Sequence, residues 1–322
     1  MKTFLNAALA AGAVAVLIAA MYFLFSRPCR EPACSAGYDA AALKRTDPAL
    51  VLESSLKIIR PRMTNLAAIA VDRGGNIYAG SDAGVEILDS NGTHVASFAA
   101  AGPVRCLAVT PENDILAGLE DRVEEYARDG ALKATFRPAG EGAVITSVAA
   151  SSNYVFAADS ANRIVWRFGR AGESPVMIGR RSGDQGKSGF VVPSASFDLA
   201  ADTDGSLWAV NPGLHRLEHF SADDKLLSSW GRAGLAAPEF CGCCNPAHVA
   251  FGPGGSFVTS EKHIVRIKVY DKNGVFKGVV CGAEDWPGEA SAPDIAVDLA
   301  GRVLALDRRA NAIRIYTLAT PW

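Results

Sequence analysis

A short pattern of strands and turns recurs along the chain, and this repetition constrains the fold more than any other feature. Each copy contains a small apolar strand, a turn with Gly or Asp, and a second apolar strand. Six copies can be aligned, and they begin at Leu66, Cys106, the region of Val148, Asp198, His248 and Asp294. A third strand such as Val85–Leu88 and a fourth such as His94–Phe98 follow, and turns like Asn273-Gly274 separate them. Four short strands in each period of about 40 to 50 residues predict an all-β, six-bladed β-propeller.

The last copy lacks a fourth strand of its own. It stops after its third strand, at Thr317 to Trp322, which would leave an unpaired outer edge. The segment Ser55–Pro61 has the pattern of a fourth strand and precedes the first copy. We therefore predict that Leu56 to Pro61 completes the blade begun at Pro293 and closes the ring, since an open seam would invite slippage or aggregation.

These copies resemble the NHL-repeat propellers from about Ser54 to the C-terminus. The matching pieces are the Ala-Val-Asp-x-x-Gly-x-Val/Ile turns and the stretches Asp159–Phe168 and Asp307–Tyr316. The second copy departs from the family pattern, with Asp121-Arg122-Val123 in place of the Asn-Arg-Ile element. The resemblance implies a six-bladed propeller that the family uses mostly for binding, and it implies no single activity.

The N-terminal segment predicts a membrane anchor. The run Phe4–Phe25 carries no charge and exceeds the roughly 20 residues that span a bilayer core. We expect one transmembrane helix as a signal anchor in residues 1–26, a linker over 27–53 and the propeller over 54–322. Lys2 favours an exported propeller, whereas the four basic residues after the run favour the opposite orientation. We retain a single-pass cell-membrane protein with a periplasmic or otherwise extracytoplasmic propeller, and its orientation stays open.

The charge balance excludes a nucleic-acid partner. The chain has 32 Lys and Arg residues against 34 Asp and Glu residues, for a net charge of -2. This balance leaves no basic face that could neutralise a row of phosphates, and aromatic residues do not alternate with basic ones. We expect the membrane, through the N-terminal helix, and a partner protein instead.

The starts of the first strands form the first candidate site. In a propeller these strands line the central channel, so their first residues should form a ring at one face. The predicted ring consists of Ala68, Cys106, Ser147, Asp198, His248 and Asp294. The loops before the last three blades are also long, and we expect this loop face to bind the partner protein. Alternatively, Asp198 and Asp294 only accept hydrogen bonds from loop N–H groups at strand starts.

The cysteines form the second candidate site. Cys241, Cys243 and Cys244 occupy four consecutive positions with one glycine, His248 follows, and Cys281 ends the same blade. Several thiolates with a nearby imidazole could bind zinc or an iron-sulfur cluster, although the spacing fits no standard ferredoxin pattern. A disulfide from Cys241 or Cys244 to Cys281 and a reactive dithiol are the two alternatives, and all three stay open.

Two functions are compatible with these features. The first is a membrane-tethered, non-catalytic binding module in a membrane-associated redox assembly, with the cysteine site as a metal centre, iron-sulfur site or disulfide. The second is a metal-dependent hydrolase at the channel mouth, similar to the calcium-dependent lactonase propellers, to which Asp198 and Asp294 could contribute; calcium is therefore not excluded. We favour the first because the sequence does not define a nucleophile, a base and an orienting group together, so we assign no catalytic residue.

Overall fold

The computed structural model describes residues 44–181, 189–289 and 291–320. The predicted transmembrane helix at Phe4–Phe25 lies outside these ranges, so it stays a prediction. Within them, no helix has the length and apolar character needed to cross a membrane.

The described chain forms six antiparallel sheets of four strands each, which are the six predicted blades. Blade one contains β2 (Leu66–Val71), β3 (Ile77–Ser81), β4 (Gly84–Leu88) and β5 (His94–Phe98). Blade two contains β6 (Cys106–Val109), β7 (Ile115–Gly118), β8 (Val123–Tyr126) and β9 (Leu132–Phe136). Blade three contains β10 (Ile145–Ala150), β11 (Tyr154–Asp159), β12 (Ile164–Gly169) and β13 (Val176–Ile178). Blade four contains β14 (Leu199–Ala201), β15 (Leu207–Asn211), β16 (Arg216–Phe220) and β17 (Leu226–Trp230). Blade five contains β18 (His248–Phe251), β19 (Phe257–Glu261), β20 (Arg266–Tyr270) and β21 (Phe276–Cys281). Blade six contains β22 (Ile295–Val297), β23 (Val303–Asp307), β24 (Ala312–Leu318) and β1 (Ser54–Ile59).

The ring closes as predicted, because β1 supplies the fourth strand of blade six. It pairs antiparallel with β24, from Ser54 opposite Leu318 to Ile59 opposite Ile313. The strand ends at Ile59 and does not reach Pro61, which has no N–H group to donate to the ladder. Adjacent side chains of β1 point to opposite faces, so Ile59 is buried while Ile58 is 47% exposed.

The core lies between neighbouring blades. The middle strands β3 and β4 are fully buried, whereas outer strands such as β5 alternate between half-buried and exposed positions. Aromatic side chains pack between blades four and five, where the ring centroids of Trp230 and Tyr270 are 4.7 Å apart. Tyr270 is 1% exposed, and full burial of a large apolar side chain contributes about 1.5–3 kcal/mol, so packing between blades helps to hold the ring together.

The last part of the predicted linker contacts the propeller. The Leu52 amide donates to the Val279 carbonyl at 2.8 Å, and the Thr46 amide donates to Glu284 at 3.2 Å. Leu52 also packs against the cluster between blades five and six. The folded unit therefore begins before the first strand.

Candidate functional site at the channel mouth

A pocket lies at one end of the channel, where the loops that precede the first strands meet the turns between second and third strands. Because the strands of a blade are antiparallel, the start of its first strand and the turn between its second and third strands lie at the same face. We call this face the mouth face, and the pocket on it, with a volume of about 660 Å³, the mouth pocket. His248 and Arg105 reach the pocket from the strand starts, and Glu120, Lys262 and Arg308 reach it from the turns.

Asp198 and Asp294 connect neighbouring blades at this face. Asp198 accepts hydrogen bonds from the Leu199 amide at 2.9 Å and from the Val249 amide of the next blade at 2.8 Å. Asp294 accepts from the Ile295 amide at 3.0 Å and from the Ile69 amide of blade one at 2.8 Å. Both carboxylates therefore accept hydrogen bonds from N–H groups at strand starts, as the alternative interpretation predicted. Each also links two blades.

His248 lies between the two carboxylates. Its Nδ1 is 3.3 Å from Asp198 Oδ2 and 3.8 Å from Asp294 Oδ1, and its side chain is 17% exposed. Burial would lower the pKa of His248, but Asp198 and Asp294 stabilise the imidazolium more strongly and raise it above the usual value. Burial, together with the Asp198 charge, raises the pKa of Asp294 despite the opposing effect of His248. The structure thus brings together all three predicted channel-mouth residues.

Three cations line the mouth pocket, and none of them forms an ion pair with a carboxylate of the described chain. Among the described residues, no Asp or Glu oxygen lies within 4.0 Å of the charged nitrogens of Arg105, Lys262 or Arg308. Arg308 donates instead to the Ala67 carbonyl at 2.6 Å, and Lys262 donates to Ser194 Oγ at 2.6 Å. Glu120 is the single carboxylate among the pocket-lining side chains of the described chain. The pocket lining is therefore predominantly cationic.

The cysteine loop is fixed to the mouth face by Asn245. The buried Asn245 amide nitrogen donates to the Cys241 carbonyl at 2.7 Å and to the Lys262 carbonyl at 3.2 Å. Its side-chain oxygen accepts from the Lys262 amide at 2.9 Å. One side chain thus joins the cysteine loop to the turn between β19 and β20.

This attachment places Cys244 beside the mouth pocket. Burial raises the pKa of Cys244, but hydrogen bonds with Lys262 and Cys243 and the Lys262 charge outweigh that effect, so its pKa is lowered. The Cys243 and Cys244 sulfurs are 3.2 Å apart, and this contact raises the pKa of Cys243. Cys243 is exposed, whereas Cys244 is buried.

Cys281 occupies a different environment from the loop cysteines. It packs in the cluster between blades five and six, where it accepts a hydrogen bond from Trp286 Nε1 at 3.3 Å. Burial raises the pKa of Cys281 to about 11, so the thiol is held neutral. Cys106, Cys243, Cys244 and Cys281 are free thiols. The described ranges contain no group of three or more His, Cys, Asp or Glu side chains that could hold a metal ion. A zinc or iron-sulfur site formed by Cys241, Cys243, Cys244, Cys281 and His248 stays a prediction.

Sequence reasoning missed most of the pocket-lining cations. It considered the starts of the first strands, which include His248, but not the turns between second and third strands. Those turns contain Lys262 and Arg308. Applying the antiparallel geometry to every blade would have placed both turns at the mouth face, so the missing signal was topological.

Comparisons with known proteins agree with the fold and leave the family open. No protein-family model matches the chain, and no curated protein matches it. The chain is similar to a virginiamycin B lyase from Staphylococcus aureus, at 13% identity and a TM-score of 0.56, over 83% of this chain and 100% of the lyase. It is also similar to a gluconolactonase from Xanthomonas campestris, at 16% identity and a TM-score of 0.60, over 85% of this chain and 94% of that one. A third similar structure is U3-55K, at 11% identity and a TM-score of 0.57, over 82% of this chain and 98% of that one.

Identities this low establish the fold alone. The structures similar to this six-bladed propeller include a lyase and a lactonase, so the fold is compatible with enzymes as well as with binding proteins. For the lyase, a catalytically inactive histidine-to-alanine variant has been solved with quinupristin. Membership of the NHL-repeat family stays a prediction, since no family model matches.

Proposed function

We propose that this protein is a binding module whose mouth pocket takes a small organic anion, such as a carboxylate or a phosphate ester. The observation that carries the proposal is the set of three cations, Arg105, Lys262 and Arg308, which line one concave site and have no carboxylate within ion-pair distance in the described ranges. A cation that forms no direct ion pair can bind an anionic ligand, and a hydrogen bond to a charged group contributes about 1.5–3 kcal/mol. The volume of about 660 Å³ suits a ligand of drug size.

The position of the pocket supports a binding role. It lies where loops of several blades meet, and loops on a rigid scaffold commonly carry binding residues. Asp198 and Asp294 are not among the side chains that line the pocket, and their carboxylates contact His248 and backbone N–H groups of neighbouring blades. Tethering to the membrane through the N-terminal segment, an extracytoplasmic location and a partner protein on the loop face belong to the same proposal.

Binding is tested by titrating the full chain with a panel of small carboxylates and phosphate esters. The Arg308→Ala variant should weaken binding of the best ligand by about tenfold, since one charge-assisted hydrogen bond is lost. The matched control is Arg309→Ala, because Arg309 is adjacent but donates to the Pro287 carbonyl outside the pocket lining. Equal affinities for the two variants would overturn the proposal.

His248 supports a second candidate function, acid-base catalysis on the bound ligand. Its imidazole lines the pocket and its Nδ1 lies near Asp198, an arrangement that fixes ring orientation and stabilises the protonated form. A lyase or a lactonase reaction needs a group that takes up or delivers a proton. His248→Gln should then abolish turnover of a panel of lactones while the best anion still binds. Absence of turnover by the unmodified protein would leave binding as the function.

Calcium does not fit the observed carboxylates. A calcium ion takes about six to eight oxygen ligands, and the oxygens of Asp198 and Asp294 already accept backbone N–H groups or approach His248. The described residues show no group of three carboxylate, thiol or imidazole ligands. We derive no catalytic step through calcium.

A further inference from the structure

Two adjacent thiols contact each other, and one of them contacts Lys262, which lines the mouth pocket. The Cys243 and Cys244 sulfurs are 3.2 Å apart. Cys243 is exposed, while Cys244 is 3% exposed and contacts Lys262 and Ser194. The Asn245 side chain holds this loop to the turn that carries Lys262, so the arrangement is built into the fold.

We propose that Cys243 and Cys244 form a dithiol site that exchanges reversibly with a low-molecular-weight disulfide and ends as a disulfide between the two adjacent residues. The substrate class is an organic disulfide, which is the oxidant and supplies the sulfur–sulfur bond that is broken. Lys262 connects this site to the mouth pocket, because it lines the pocket and also contacts Cys244.

The burial difference assigns the order of the two steps. The exposed Cys243 thiolate attacks one sulfur of the incoming disulfide, forms a mixed disulfide and releases the first thiolate. Cys244 then attacks the Cys243 sulfur from within the loop and releases the second thiolate, which takes up a proton from water. The protein loses two protons and two electrons, and one organic disulfide takes up two protons and two electrons to become two thiols.

The nearby Lys262 favours the second step. An ammonium beside a thiol stabilises the thiolate, which is the attacking species. The sulfurs are already within contact distance, so the second attack requires only local motion.

Covalent geometry makes the product easy to reduce again. Consecutive Cα atoms are about 3.8 Å apart across a trans peptide, below the usual disulfide range of about 4.4–6.8 Å. A disulfide between adjacent residues is therefore strained, and strained disulfides have the more oxidising potentials of labile sites.

The other described cysteines serve as internal controls. Cys106 and Cys281 are buried in core clusters, and burial raises the pKa of both thiols. Cys241 is 7% exposed and belongs to the same loop, so Cys241→Ser tests whether a different pair forms.

The experiment treats the reduced full chain with excess glutathione disulfide, followed by alkylation and intact and peptide mass spectrometry. The unmodified protein and Cys241→Ser should both lose two thiols at the Cys243–Cys244 pair and gain no glutathione there, and mild dithiol treatment should restore both thiols. Cys244→Ser should stop at a glutathione adduct on Cys243. Cys243→Ser should retain a reduced Cys244 over the time in which the unmodified protein reacts completely.

Three results would overturn the proposal. The first is a Cys241→Ser variant that no longer loses the two thiols, which would show that Cys241 belongs to the pair. The second is a stable glutathione adduct on the unmodified protein. The third is no reaction at all. Circular dichroism of each variant checks folding, and the exposed position of Cys243 makes its Ser variant compatible with the native loop.

Discussion

Replacing Asp198 by Ala should destabilise the propeller measurably, because this carboxylate joins blades four and five. The substitution removes two charge-assisted hydrogen bonds, to the amides of Leu199 and Val249. The Leu199 amide keeps a 3.2 Å bond to Ser147 Oγ, whereas the side-chain acceptor of the Val249 amide is Asp198 itself. Leaving one buried N–H unsatisfied costs about 1–3 kcal/mol, and loss of the second bond brings the expected total to about 2–4 kcal/mol.

Urea unfolding of the variant and the unmodified protein measures this loss directly. The matched control is Asp223→Ala in the same blade, since its side chain is 91% exposed and its partner Arg167 keeps a 2.9 Å hydrogen bond to the Ala222 carbonyl. That control should change the unfolding free energy by less than about 0.5 kcal/mol. If Asp198→Ala changed it by no more than the control, the role of Asp198 as a link between blades would be refuted.

Four other substitutions or measurements test separate parts of the account. Ile59→Ala should cost about 2–4 kcal/mol and Ile58→Ala less than about 1 kcal/mol, measured by urea unfolding, because only the first is buried in the closing strand. The pKa of His248 from NMR titration should lie above its usual value and fall in Asp198→Ala; the stability it contributes is present at pH below the unfolded value of 6.5 and is lost as pH rises through the folded pKa. Glu120→Gln should strengthen anion binding in the same titration by a few-fold, since it removes the one carboxylate from the described pocket lining. In alkylation of the folded protein, Cys243 should react before Cys281, whose pKa burial raises to about 11.

The sequence predicted the propeller because its signals are local and repeat. Strand β5 at His94–Phe98 and strand β9 at Leu132–Phe136 have the bounds that their alternating patterns indicate. Closure by β1 was also accessible, since an unpaired last strand at one terminus and an unassigned strand at the other fit only together. Strand bounds differed where backbone chemistry mattered, as at Pro61, which cannot donate to the ladder.

The site was less accessible because it depends on how distant blades converge. Topology alone predicted one ring that contains His248, Asp198 and Asp294. In the structure, His248 Nδ1 lies 3.3 Å from Asp198 and 3.8 Å from Asp294. Lys262 and Arg308 lie in turns that resemble ordinary surface turns, and only the ring brings them together in one pocket. The cysteine spacing likewise could not show that Cys281 packs between blades five and six.

A crystal structure of the full chain with its best-binding small anion tests the central claim most directly. We expect the anionic group in the mouth pocket, within hydrogen-bond distance of at least two of Arg105, Lys262 and Arg308. Such a position would explain the selective loss of affinity in Arg308→Ala. An anion bound at the opposite end of the channel, near Asp72 and Thr110, or on the outer strands of the blades would contradict the claim that function resides at the mouth face.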